Sequence, residues 1–199
     1  MKHFALVLVA LLAGCASEPM RSLPPTPLPE STTDFQQIEA IENWSASGRV
    51  AIQRGAEGWS ANMHWHTRGA QFQLRLVAPL GRGTYQLAGD DTKVELIVPD
   101  GGHFVASDAQ SLMTEYLGWS IPLDGARYWL RGLVAPDSPP SYINLDDLGR
   151  VQDLQQRGWR ISVLRRLTVD NVDLPSKLFM HYQDLKVRIV ISSWKLASK

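Results

Sequence analysis

Cysteine is nearly absent: Cys15 is the only one in 199 residues, so neither an internal disulfide nor a cysteine-rich zinc site can form. Charge bias is absent too. Twenty basic and twenty acidic side chains give a formal net charge of zero, without the basic field of a general nucleic-acid binder, and no nucleic-acid partner is expected. No GxxxxGK[ST], HExxH or GxSxG pattern occurs, which removes the enzyme classes most easily read from sequence. The apolar run over residues 4–13 is only ten residues long, whereas crossing a bilayer as a helix takes ~20. What the chain does have is 44% hydrophobic residues and seven tryptophans, enough for one sizeable core.

Lys2 and His3 precede the apolar run, which has the length of a secretory signal core, and it ends in Leu12-Ala13-Gly14-Cys15. That ending resembles a bacterial lipobox, in which the cysteine thiol receives a diacylglyceryl group before cleavage. The resemblance implies a signal peptide over 1–14 and a lipidated, N-terminal Cys15; a plain secretory signal that contains a cysteine is the alternative. Two or more acyl chains anchor a protein stably where one is marginal. Ala16 and Ser17 follow with no Asp, resembling the default route to the outer membrane, so the expected location is its periplasmic face, lipid-anchored. Pro19, Pro24, Pro25, Pro27 and Pro29 make 15–30 read as a stiff tether reaching on the order of 45 Å.

The remaining residues, 31–199, read as one domain. Thr33-Asp34-Phe35-Gln36 is a capping-box-like start, with Phe35, Ile38 and Ile41 at helical spacing. Period-two patterns follow: Trp44, Ala46, Gly48, Val50 and Ile52; Trp59, Ala61, Met63 and Trp65; Phe72, Leu74 and Leu76. Further strands are expected around 85–87, 94–98 and 103–106. A helix capped by Ser107 is expected to run to Leu117, with Gly118 at its C′ position, and a second helix over 124–131. Strands resume at 142–145, 151–154, 159–163, 178–182 and 187–194, with a hairpin turn over 147–150. The fold class is mainly β (α+β): one antiparallel sheet of about eleven strands curled into a barrel or half-barrel, with helices closing an end or face.

Trp44-Ser45-Ala46-Ser47-Gly48-Arg49, Ala78-Pro79-Leu80-Gly81, 117–123 (LGWSIPL), Trp129-Leu130-Arg131-Gly132 and Gly158-Trp159, together with the lipobox, resemble the LolB family of outer-membrane lipoprotein receptors. Each motif is weak alone; their order and spacing are specific. The resemblance implies an incomplete eleven-stranded barrel with a helical lid over a hydrophobic cavity. It also implies transfer of triacylated lipoproteins from the carrier LolA to the outer membrane, so the expected partners are LolA, cargo acyl chains and outer-membrane lipid. A handover receptor is expected to act as a monomer. An anchored lipid-binding module and a structural assembly lipoprotein remain open alternatives.

Candidates for the acyl-chain cavity are Val50, Ile52, Met63, Trp65, Leu74, Leu76, Leu87, Leu96, Leu112, Met113, Leu117, Trp129, Trp159 and Ile161. For any one of them ordinary core is the competing role. Leu80 stands apart, a large apolar side chain between Pro79 and Gly81 in a turn that gives it no local reason to be there. By resemblance this Pro79-Leu80-Gly81 leucine projects from a loop and serves delivery into the membrane; the alternative is a plug folded back on the barrel end. No nucleophile with a base is visible, so no catalytic residue, metal or cofactor is expected. His64 and His66 share a strand face with Ser60 and Asn62 and are expected in solvent. Residues 15–124 hold seven basic and thirteen acidic side chains, whereas 125–199 hold twelve and seven. Arg127, Arg131, Arg150, Arg157, Arg160, Arg165 and Arg166 could thus form a docking face for an acidic carrier, unless strands of the two halves interleave.

Overall fold

A computed structural model describes residues 33–197. The signal segment, Cys15 and the proline-rich tether lie outside the described residues. Within them the chain runs α1 (Thr33–Glu39), β1 (Asn43–Arg54), β2 (Glu57–Arg68), β3 (Gln71–Val77), β4 (Thr84–Gly89), β5 (Val94–Ile97) and β6 (His103–Ala106). It continues through α2 (Ala109–Leu117), α3 (Leu123–Trp129), β7 (Tyr142–Leu145), β8 (Val151–Gln156), β9 (Trp159–Val169), β10 (Val172–Tyr182) and β11 (Leu185–Leu196).

All eleven strands join one antiparallel sheet in the order β6-β5-β4-β3-β2-β1-β11-β10-β9-β8-β7. Two meanders therefore meet at one nonlocal seam, β1 against β11, and β6 and β7 are left as edges of an incomplete barrel. The period-two pattern explains which face is which. On β2, Ala61, Met63, Trp65 and Thr67 are buried while Asn62, His64, His66 and Arg68 are exposed. On β11, Val187, Ile189 and Ile191 are buried while Lys186, Arg188 and Val190 are exposed. Alternation of this kind lets one face of an antiparallel sheet build the core and the other meet water. At the seam the register shifts between Ser47 and Gly48, where a Cβ on Gly48 would sit 2.0 Å from the Val190 carbonyl oxygen. Only glycine admits that approach.

Expectations for the α2 cap and for the strands flanking residue 170 are corrected. The cap of α2 is Asp108, not Ser107: its carboxylate accepts from the Ser111 amide (2.8 Å) and the Ser111 hydroxyl (2.9 Å). The strands around residue 170 are much longer than 159–163 and 178–182, because Asp170 and Asn171 both take positive φ (49° and 64°) and turn β9 tightly into β10. Pro175 sits inside β10 at a register irregularity, and β10 pairs with β11 only from Lys177 onward. A residue with no N–H is tolerated at such a place. The Pro175 carbonyl is not idle; it accepts from the Trp194 indole N–H at 2.9 Å.

Arg131 ties α1 to the rest. Its Nη1 donates to the carbonyls of Ile38 (3.2 Å) and Ile41 (2.6 Å), just where α1 ends and the chain turns toward β1. Burial pushes the Arg131 pKa down to about 10, so the guanidinium stays charged at neutral pH.

Candidate functional site

Between the concave face of the sheet and the two helices α2 and α3 lies a pocket lined only by apolar side chains. Val50, Met63, Trp65, Leu74, Leu76 and Met113, all expected from the sequence as cavity residues, line it. Ile52, Leu87, Leu96, Leu112, Trp129, Trp159 and Ile161 are buried in the core around it, and Leu117 is half-buried at the end of α2. The rest of the wall was not among the cavity candidates. Trp119 and Ile121 lie in the segment between the helices, Leu123, Ala126 and Leu130 lie in or beside α3, and Met180 and Ile189 come from the sheet.

The pocket volume is about 30 Å³. That is room for roughly one water, while an acyl chain carries more than a dozen methylenes. The cover must move before any chain enters, and the cover is made of two short helices held by few polar contacts. Arg54 donates to the Gly118 carbonyl at the C-terminus of α2 (2.8 Å). Arg157 pairs with Asp124 at the start of α3 (2.6 Å) and with Asp137 in the loop that follows. Gln156, fully buried, accepts through Oε1 from the Trp129 indole N–H (2.8 Å) and the Ala135 amide (3.0 Å), and its amide group donates to the carbonyls of Ala135 and Ser138. This glutamine was not among the sequence candidates; a polar residue in a strand carries no local mark of being a tertiary hub.

Leu80 is 95% exposed, the most exposed large apolar side chain among the described residues. It does not fold back as a plug. Its backbone takes φ 56°, in the left-handed region, and the loop is closed by Ala78 donating to the Gly83 carbonyl (2.9 Å) and Arg82 to the Pro79 carbonyl (3.3 Å). Gly83 is required, because a Cβ there would lie 2.2 Å from the Pro99 side chain. The loop therefore presents Leu80 outward by its own construction.

Of the seven arginines weighed as a docking face, Arg160 and Arg165 are exposed, and the others are engaged within the molecule, Arg127 with Asp91. Arg131 is buried, Arg150 pairs with Asp146 and Asp173, Arg157 with Asp124 and Asp137, and Arg166 donates to the carbonyls of Val151 and Asp173. His64 and His66 are exposed, as expected, and among the described residues no group of three His, Cys, Asp or Glu side chains converges as a metal site. No described helix is long and apolar enough to cross a membrane.

Comparison with known proteins agrees with this arrangement. Residues 42–194 match the family described as "Outer membrane lipoprotein LolB". The chain is 38% identical over 193 residues to the outer-membrane lipoprotein LolB of Nitrosococcus oceani, covering 96% of this chain and 95% of that protein. It is 34% identical to that of Pseudomonas syringae pv. syringae, covering 94% and 92%. The fold is shared with the crystal structure of a LolA superfamily protein from Nitrosomonas europaea, with a TM-score of 0.55 at 8% identity over 85% of this chain and 96% of that one. An eleven-stranded open barrel, an apolar pocket beneath two helices and relatives aligned over nearly their whole length lead to one conclusion: the chain belongs to the LolB family of outer-membrane lipoproteins.

Proposed function

We propose that the protein accepts triacylated lipoproteins from the carrier LolA and places them in the inner leaflet of the outer membrane, where lipidated Cys15 holds it on the periplasmic face. The observation that carries this reading is the wholly apolar pocket under a lightly fastened helical cover, in the same sheet whose β3–β4 loop exposes Leu80. An acyl chain of about sixteen carbons resists water by roughly 12 kcal/mol, at ~0.8 kcal/mol per CH₂, so free diffusion between membranes is excluded and a sheltered route is needed. With no nucleotide motif in the chain, direction must come from graded affinity among carrier, receptor and bilayer. A pocket closed to about 30 Å³ when empty suits that demand, since reclosing favours release. Leu80 itself contributes only ~1.5–3 kcal/mol when buried, enough for a local contact with lipid and too little to anchor the domain.

The test mixes the mature chain carrying Cys15→Ala, which stays soluble, with a purified complex of LolA and a lipoprotein. Transfer of the lipoprotein onto the chain supports the reading. A folded chain that takes none refutes it and leaves a structural assembly role as the leading account.

A further inference from the structure

A second cleft, about 410 Å³, opens beside the apolar pocket and shares Trp65 and Leu123 with it. Its chemistry differs. Three of its lining residues carry buried polar atoms with no hydrogen-bond partner among the described residues: the Trp65 indole N–H, the Thr67 hydroxyl and Arg127 Nε–H. Trp65 and Thr67 are 4% and 3% exposed and stand two residues apart on the inner face of β2. Polar groups left unpaired this deep are costly, so a cluster of three marks a place built for a partner. All three can donate, and the partner that suits them is a set of acceptor oxygens. Five aspartates line the cleft against two arginines, Arg127 and Arg157, a net acidic surround that disfavours an anionic group such as phosphate. Neutral carbonyl oxygens fit.

We infer that this cleft binds the ester and amide carbonyls linking acyl chains to the cargo's N-terminal cysteine, while the chains themselves occupy the adjoining apolar pocket. The inference rests on the receptor reading above. Sheet register supplies a direction. Thr67 pairs with Phe72 at the start of β3, whereas Leu74 and Leu76 of the pocket lie progressively nearer Val77, after which the chain enters the loop bearing Leu80. A cargo held by its linkage at Thr67 would thus have its chains running toward the Leu80 end of the barrel. On the receptor reading that end meets the bilayer, so the chains leave into lipid without turning round.

Calorimetric titration of the mature Cys15→Ala chain with three probes tests this: 1,2-dioctanoylglycerol, its ether analogue 1,2-dioctylglycerol, which lacks the carbonyls, and dioctanoylphosphatidylglycerol. The expected result is a diester bound about tenfold more tightly than the diether, with the phosphate-bearing lipid no better than the diether. Thr67→Val, which keeps the shape and removes the hydroxyl, should shrink the diester preference several-fold and leave the diether affinity unchanged; Thr67→Ser should restore it. Equal affinity for diester and diether, or a preference untouched by Thr67→Val, overturns the inference while the apolar pocket stands. A phosphate-bearing lipid that matches the neutral diester overturns the assignment to the cargo linkage. If neither glycerol probe binds, the receptor reading fails as well.

Discussion

Leu80 occupies a backbone conformation that ordinary L-residues avoid, at a cost of roughly 1–2 kcal/mol. A sequence serving only stability would put glycine there. Leu80→Gly should leave thermal stability unchanged or slightly raised, while delivery of lipoprotein from the chain into liposomes should fall severalfold. If Leu80→Gly delivers like the parent, the exposed side chain is not a membrane contact. Gln156 is the opposite kind of residue, invisible on the surface and engaged on every side. Gln156→Leu keeps the volume near its original but strands the Trp129 indole N–H and the Ala135 amide. The loss should be on the order of 3 kcal/mol, lowering Tm by about 10 °C in a thermal melt. Of these two residues the sequence marks only Leu80, because an apolar side chain between proline and glycine contradicts its local surroundings. The importance of Gln156 is created by contacts 18 to 27 residues away.

At the scale of elements, the cover over the pocket is the part expected to move, and its fastenings can be loosened singly. Arg157→Met removes both carboxylate pairs of a side chain that is about one-fifth exposed, so the global stability loss should stay below ~1 kcal/mol. Local opening is more sensitive. Hydrogen exchange of the amides in α3 should quicken about fivefold while that in β10 stays unchanged. The first turn of α2 is itself capped by Asp108, whose carboxyl is held below the usual aspartate range by hydrogen bonds from the Ser111 amide and hydroxyl. A carboxyl lowered in the folded state contributes stability above its ordinary pKa and loses it as pH falls through the lowered value. Urea-unfolding stability should therefore decline between pH 5 and 3, and less steeply in Asp108→Asn, which caps equally well and does not titrate. Strand elements were legible wherever period two ran unbroken, as in β1 and β2. The β9–β10 hairpin was not, because Pro175 and the Asp170-Asn171 turn break the pattern and only a register irregularity reconciles proline with a paired strand. Trp119 and Ile121 of the pocket wall were also hidden, since they belong to an irregular segment without periodicity.

For the whole molecule, the strand order decides what the uneven charge along the sequence means. β1 to β6 form one flank of the sheet and β7 to β11 the other, so the two halves do not interleave and cancel. The basic excess of residues 125–199 surfaces on the outer face, where register aligns Arg160, His181 and Lys186 across β9, β10 and β11, with Arg188 two residues further along β11. Their inward neighbours Ile161, Met180 and Val187 are buried, and Arg160, Lys186 and Arg188 are exposed. A row of exposed charge on a rigid sheet adds little to stability and much to the rate at which an oppositely charged partner arrives. If LolA approaches this flank, its association rate with the mature Cys15→Ala chain should fall steeply between low and high salt, and the triple variant Arg160→Glu, Lys186→Glu, Arg188→Glu should slow it by tenfold or so at low salt while leaving Tm unchanged. Stopped-flow association at two ionic strengths decides the matter. A rate indifferent to both salt and charge reversal would place the carrier's approach on another face and leave the basic flank as a solvated surface.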